Sequence, residues 1–162
     1  MKAIVLDFEN CSGCGQCELI CSVKKRGSVD PAKSNIHVIK YERKGAFFAA
    51  SCMQCRKPVC RDVCPVKAIE ENPLTGALVV NDDKCLGCKL CSFACPFGGI
   101  VVDYDLGVAT KCDLCDGEPA CVGVCSRDCI KFIDVDKIGA ELKRKGIRQL
   151  AKLEWLIIGG ER

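Results

Sequence analysis

Cysteine is the residue type that could do chemistry in this chain, and it comes in sets of four. The chain of 162 residues holds 17 cysteines. The first set is Cys11, Cys14, Cys17 and Cys21, and the second is Cys52, Cys55, Cys60 and Cys64, followed by Pro65. The third is Cys85, Cys88, Cys91 and Cys95, followed by Pro96, and the fourth is Cys112, Cys115, Cys121 and Cys125. Cys129 stands outside all four. The first and third sets read C-x2-C-x2-C-x3-C, the run that holds [4Fe–4S] cubanes. Thiolates at every third position of a short loop can take three iron corners while the loop's N–H groups point at the sulfides. Gly13, Gly15 and Gly87 lie in such loops, where the backbone must pass close to a cluster. Four sets imply four [4Fe–4S] clusters, and four one-electron centres in one small chain imply a route for electrons.

Other cysteine chemistries fit less well. Disulfides suit short secreted scaffolds, but Met1 to Asn10 carries no signal-peptide pattern and predicts a cytoplasmic protein. The count is odd, and cysteines two apart in tight loops bridge poorly. Zinc sites use cysteine pairs with a longer spacer, often with histidine. The single histidine, His37, lies outside every set and in a strand-like run, where a surface or packed role is the ordinary one. A zinc-stabilised binding module remains the alternative from another class. No Ser/His/Asp set, dinucleotide-binding glycine pattern or phosphate-binding loop accompanies the cysteines, and four cysteines per cluster leave no iron open, so no catalytic site is expected. The formal charge of +3 treats cysteine as neutral. With about −2 per cubane and its thiolates, the loaded chain comes to roughly −5, so the basic composition is no argument for nucleic acid. Lys24, Lys25, Arg56, Lys57, Arg61, Lys67 and Lys111 are candidates to balance that charge, though any one of them can be an ordinary solvated side chain.

From Cys52 to about Ile100 the chain resembles a bacterial two-cluster ferredoxin. Cys64-Pro-Val-Lys-Ala-Ile69, the turn at Asn72-Pro-Leu-Thr-Gly76 and Asp83-Lys-Cys-Leu-Gly-Cys88 carry the likeness. The whole arrangement, from about Ile4 to Phe132, is similar to the iron–sulfur subunit of molybdenum or tungsten oxidoreductases, the four-cluster group related to dimethyl sulfoxide reductase and formate dehydrogenase. Lys111-Cys-Asp-Leu-Cys-Asp-Gly-Glu-Pro-Ala-Cys-Val-Gly-Val-Cys125 is the most specific match, joined by Ser51-Cys-Met-Gln-Cys55, Pro58-Val-Cys60 and Val63-Cys-Pro65. The resemblance implies that paired sets exchange their fourth ligand. Cys52, Cys55, Cys60 and Cys95 would then share a cluster, as would Cys85, Cys88, Cys91 and Cys64. Carried to the outer sets, the exchange gives Cys11, Cys14, Cys17 and Cys125, and Cys112, Cys115, Cys121 and Cys21. It also implies a large catalytic partner of the tungstopterin or molybdopterin type, an aldehyde oxidoreductase or a formate dehydrogenase, with a flavin or NAD reductase subunit or a ferredoxin as a further partner. A freely diffusing polyferredoxin is the third option. Two departures stand out: Ser126 replaces the proline after Cys125, and Cys129 sits where Ala68 stands in the second set. Cys129 is a small buried filler or, in the other readings, a second candidate fourth ligand that swaps with Cys125, a labile corner or a reactive thiol. The first set has Ser22 after its last cysteine.

The elements that must position these cysteines are short. Ala3–Leu6, Ile36–Tyr41, Ala46–Ala50, Ala77–Val80, Ile100–Tyr104 and Ile130–Ile133 read as strands, and Glu18–Lys25 as a helix carrying Cys21. A loop with Pro31 covers Gly27–Ser34, and a turn falls near Lys44-Gly45. The expected fold is α+β, with two interleaved ferredoxin-like halves each holding two clusters, plus a C-terminal helix. Residues 1–134 form the cluster domain, with a central unit of about 50–104 and an outer unit of 1–49 with 105–134; residues 135–162 form a helical docking tail. Along Asp136–Leu156, Ile138, Leu142, Leu150, Leu153 and Leu156 recur at helical spacing beside Lys143, Arg144, Lys145, Arg148 and Lys152. The tail could pack on the domain, enter a partner or pair with its own copy. Its apolar run, ending in Trp155-Leu-Ile-Ile158, is too short to cross a membrane.

Overall fold

The computed structural model describes residues 2–137 and 139. Ile138 and residues 140–162, with the expected C-terminal helix, lie outside them. The described chain is a small α+β fold of eight strands and four helices. Each ligand-spaced loop passes into a short helix, and short hairpins separate the loops.

Strand β1 (Lys2–Leu6) is antiparallel to β8 (Ile130–Asp134), with Lys2 opposite Asp134 and Leu6 opposite Ile130. The two ends of the described chain therefore meet, and the first and fourth cysteine sets with them. Strands β2 (Ile36–Tyr41) and β3 (Ala46–Ser51) pair around a 3-10 turn at Glu42–Lys44. Strands β4 (Ile69–Glu71) and β5 (Leu78–Val80) form a third hairpin, and β6 (Ile100–Asp103) and β7 (Val108–Lys111) a fourth. The turn between β4 and β5 is held by the Asn72 side chain, whose oxygen accepts from the N–H of Leu74 at 2.9 Å. The expected strands are present within a residue or two. Two more, β4 and β7, were not expected, because Ile-Glu-Glu and Val-Ala-Thr-Lys are too short and mixed to carry an alternating signal.

Helix α1 (Gln16–Arg26) is the long one, and α2 (Val59–Asp62), α3 (Leu90–Ala94) and α4 (Ala120–Gly123) are single turns. Helix α1 ends at Gly27, whose left-handed backbone lets its N–H cap the Val23 carbonyl at 2.9 Å, and Lys24, Lys25 and Arg26 face the negative end of the helix dipole. Cys21 therefore lies inside a helix rather than at a turn, where a following proline would break the backbone ladder. Ser22 fits there instead: it is fully buried, donates to the Leu19 carbonyl at 2.8 Å and accepts from the N–H of Asp30 at 3.1 Å.

Helix α1 packs on α4, and α2 on α3. Buried side chains form two clusters. One joins Ile4, Ile36, Ala49, Leu114 and Ile130 with Cys17, Cys21, Cys121 and Cys129; the other joins Ile69, Leu78, Ile100 and Ala109 with Cys91. Cysteines thus belong to the core itself. Among the described residues, no helix is long and apolar enough to cross a membrane.

Candidate metal centres

Two recesses open between the elements. The first is lined by Cys11 and Cys14 from the loop entering α1 and Cys17 from its first turn, by Cys125 and Cys129 from the turn before β8, and by Val38, Ala49 and Ile130. The second is lined by Cys85, Cys88 and Cys91, by Cys64, and by Ala68, Val80 and Ala109. Cys14 and Cys88 are exposed, so each recess meets solvent on one side. The remaining sets are recognised by the charges their thiols feel. Cys55 and Cys60 lie under the influence of both Cys52 and Cys95. Cys121 feels Cys112 and Cys115 of its own set and both Cys21 and Cys17 of the first. In the two recesses, three cysteines of one set face one cysteine from another.

Backbone amides aim at these sulfurs. Ala68 donates to Cys64 and Gly99 to Cys95, both at 3.3 Å; Ala109 donates to Cys85 at 3.3 Å and Asn35 to Cys21 at 3.4 Å. Such N–H groups spread the charge of a ligating thiolate and tune an iron–sulfur centre. The loops owe their tightness to left-handed residues. Gly87 has φ +61°, and a Cβ there would sit 2.2 Å from the Gly107 carbonyl oxygen; at Gly13, with φ +70°, it would meet the Phe47 ring at 2.6 Å.

Burial raises several of the thiols above their ordinary value of 9.0. Cys17 is pushed up to about 11 by burial and then by the Glu18 carboxylate, and Cys112 to about 11 by burial. Cys121 rises to about 12, by burial and then by its thiol neighbours. Cysteines gathered without a cation hold their protons, which a metal must expel. Cys125 differs: burial pushes it up, but the Cys129 thiol and the amides of Cys129, Arg127 and Ile130 outweigh burial and hold it below 9.0. Cys129 is raised by burial and by Cys125 and Cys11.

These features fit the cubanes expected from the spacing. The donors are thiols in threes and ones, amides face the sulfurs, and the walls are apolar. His37 is no part of these places: its Nδ1 lies 4.0 Å from Glu18 Oε1, on the half-exposed side of β2.

Of the seven basic residues singled out above, Lys111 alone is buried. Its ammonium donates to the Leu78 carbonyl, to the Cys112 carbonyl at 3.2 Å and to Gln54 Oε1 at 3.4 Å. Its charge acts on Cys55 and Cys60, lowering both against burial. Lys25 pairs with Asp113 at 2.5 Å and Arg26 with Asp103 at 3.1 Å, tying α1 to the fourth set and to β6. The sequence reading missed Gln54. Buried, with φ +47°, it donates from Nε2 to the Cys112 carbonyl at 2.7 Å and accepts the Leu78 N–H at 2.9 Å. It thereby locks the second cysteine loop onto the fourth, and no local pattern around one glutamine signals this.

Residues 43–135 match the 4Fe-4S dicluster domain, and residues 8–24 match a 4Fe-4S binding domain. The chain is 38% identical over 145 residues to the β subunit of the NADH-dependent phenylglyoxylate dehydrogenase of Aromatoleum evansii, covering 87% of this chain and 32% of that one. It is 35% identical over 133 residues to the polyferredoxin-like subunit of the aliphatic sulfonate oxidoreductase of Pyrococcus furiosus, covering 80% and 76%. The chain thus spans about a third of the first relative and about three quarters of the second. A solved chain of the active site complex BamBC of benzoyl coenzyme A reductase has a similar fold, with TM-score 0.50 at 22% identity over 91% of this chain and 89% of that one. With this domain match over cysteines gathered in threes and ones, the chain belongs to the 4Fe-4S dicluster-domain family of iron–sulfur proteins.

Proposed function

We propose that this protein is an electron-transfer subunit that holds four [4Fe–4S] clusters and relays single electrons to or from a separate catalytic oxidoreductase subunit. The observation that carries the reading is the gathering of thiols, in which two recesses each bring three cysteines of one set against one of another and thiols of the remaining sets feel one another's charge. The ligand sets are Cys11, Cys14, Cys17 and Cys125; Cys112, Cys115, Cys121 and Cys21; Cys52, Cys55, Cys60 and Cys95; and Cys85, Cys88, Cys91 and Cys64. The chain then comprises two interleaved ferredoxin-like halves, residues 50–104 and residues 1–49 with 105–134, and residues 135–162 make a docking tail.

Bound clusters supply one-electron oxidation and reduction. The protein's own residues do the rest. Amides at Cys64, Cys95, Cys85 and Cys21 offset thiolate charge, Val38, Ala49, Val80 and Ala109 keep water from the recesses, and the exposed corners at Cys14 and Cys88 give electrons a way in and out. Leu86 and Leu90 rim the second recess and are exposed, as a surface that meets another protein would be. Both relatives above are named as subunits of oxidoreductases, which favours a complex over a free carrier. We assign the partner to the tungsten or molybdenum pterin class, an aldehyde oxidoreductase first among them, with a flavin or NAD reductase subunit or a ferredoxin as second carrier, in the cytoplasm.

Anaerobic purification from the native host tests this. About sixteen irons and as many acid-labile sulfides per chain are expected, together with a co-purifying large subunit. Fewer than about twelve irons overturns the four-cluster reading, and a chain that elutes alone at every salt concentration is a free polyferredoxin. Removal of residues 138–162 should leave the iron count unchanged and weaken the complex.

A further inference from the structure

We infer that Cys129 can replace Cys125 as the fourth ligand of the cluster held by Cys11, Cys14 and Cys17, so that this site has five thiols for four corners. The inference rests on the ligand sets proposed above.

Three turns of the chain have one form: Cys64 to Ala68, Cys95 to Gly99 and Cys125 to Cys129. In each, the fourth residue is left-handed, Lys67 at φ +50°, Gly98 at +62° and Asp128 at +51°. In each, the amide of the fifth residue points back at the sulfur of the first, at 3.3 Å in the first two turns and likewise from Cys129 to Cys125. The turns differ in what the fifth residue carries. At Gly99 a Cβ would lie 2.6 Å from the Cα of Cys52, so nothing fits. At Ala68 a methyl fills an enclosed space, with 1% exposure.

At position 129 the same space holds a thiol. Cys129 is 6% exposed, its Sγ lies 3.2 Å from that of Cys125, and it lines the recess of Cys11, Cys14 and Cys17. Filling the space needs only a methyl, as Ala68 shows. A sulfur so close to the ligand sulfur can reach the same iron corner by a side-chain rotation. The turn is also freer than its counterparts, since Ser126 stands where Pro65 and Pro96 fix φ. Exchange breaks the iron–sulfur bond to Cys125 and makes one to Cys129; the proton leaving Cys129 passes to Cys125. No electron moves, and the net charge is unchanged.

The test measures iron and acid-labile sulfide in the full chain, assembled anaerobically, with electron paramagnetic resonance of the reduced protein. Cys125→Ala and Cys129→Ala should each keep the wild-type iron count. Cys125→Ala with Cys129→Ala together should lose between about one and four irons, a corner or a whole cubane. Cys64→Ala, whose turn has no second thiol, should lose as much alone. The inference is overturned if Cys125→Ala by itself falls as Cys64→Ala does or is insoluble, if Cys129→Ala alone loses iron, or if the double variant keeps it all. A wild-type chain well short of about sixteen irons sinks the four-cluster reading instead.

Discussion

Among the described residues Lys111 carries the most deeply set charge, and its three acceptors leave it little freedom. A buried cation beside Cys55 and Cys60 stabilises the more negative, reduced form of whatever those thiols hold. Lys111→Met should therefore lower the midpoint potential of one centre by on the order of 50 mV, read by potentiometric titration, while leaving the others in place. The lost hydrogen bonds add a destabilisation of about 1–3 kcal/mol, because buried carbonyls at Leu78 and Cys112 lose a donor. The thiols make a second prediction. Cys17, Cys112 and Cys121 hold protons up to about 11, 11 and 12 in the metal-free protein. Every thiol that becomes a ligand must release its proton, so raising the pH removes a competitor of iron. Iron affinity should rise steadily between about pH 6 and 9, with proton release measurable by an indicator dye, and a flat profile would contradict protonated empty sites.

At the scale of elements, the loops are built from residues that tolerate a left-handed backbone, and the surroundings decide how much each matters. Gly87 and Gly98 have nearly the same φ, +61° and +62°. A methyl at Gly98 meets nothing within 4 Å, so Gly98→Ala should cost only the conformational strain, about 1–2 kcal/mol. A methyl at Gly87 runs into the Gly107 carbonyl, and the loop of Cys85 and Cys88 must move away from the turn before β7. Gly87→Ala should lose iron from one site and several degrees of melting temperature, and Gly98→Ala should keep its iron. Equal losses would show that strain alone, not the close approach, shapes the loop. Helix α1 belongs to the same logic: it carries Cys17 and Cys21 one turn apart, and Cys17 also lines the recess of Cys11 and Cys14.

At the scale of the molecule, the described residues have little apolar core. Their sheets are four separate two-stranded ladders, each marginal by itself in water, and cysteines belong to both buried clusters, four of them to the larger. Bound metal must take over the role that a broad apolar core plays elsewhere. Stripping iron with a chelator under anaerobic, non-denaturing conditions should abolish most of the strand signal in far-ultraviolet circular dichroism, and re-adding iron and sulfide should restore it. A metal-free chain that keeps its native spectrum would mean that the ladders and ion pairs such as Lys25–Asp113 suffice.

How much of this was legible beforehand follows from the reach of each interaction. The sequence by itself determined the number of thiols, their grouping and the small residues of the loops, because one ligand loop closes within about a dozen positions. It also marked six of the strands, where β-branched and aromatic runs are long enough to read, and it singled out Cys129 beside Cys125. The tertiary structure brought Cys125 to the recess of Cys11, Cys14 and Cys17, as β1 closes against β8 and α1 packs on α4, and Cys64 to that of Cys85, Cys88 and Cys91. It decided too that Lys111 and Gln54, 57 positions apart in the chain, share one buried contact. Contacts of that reach are set by packing, and no spacing rule along the backbone encodes them.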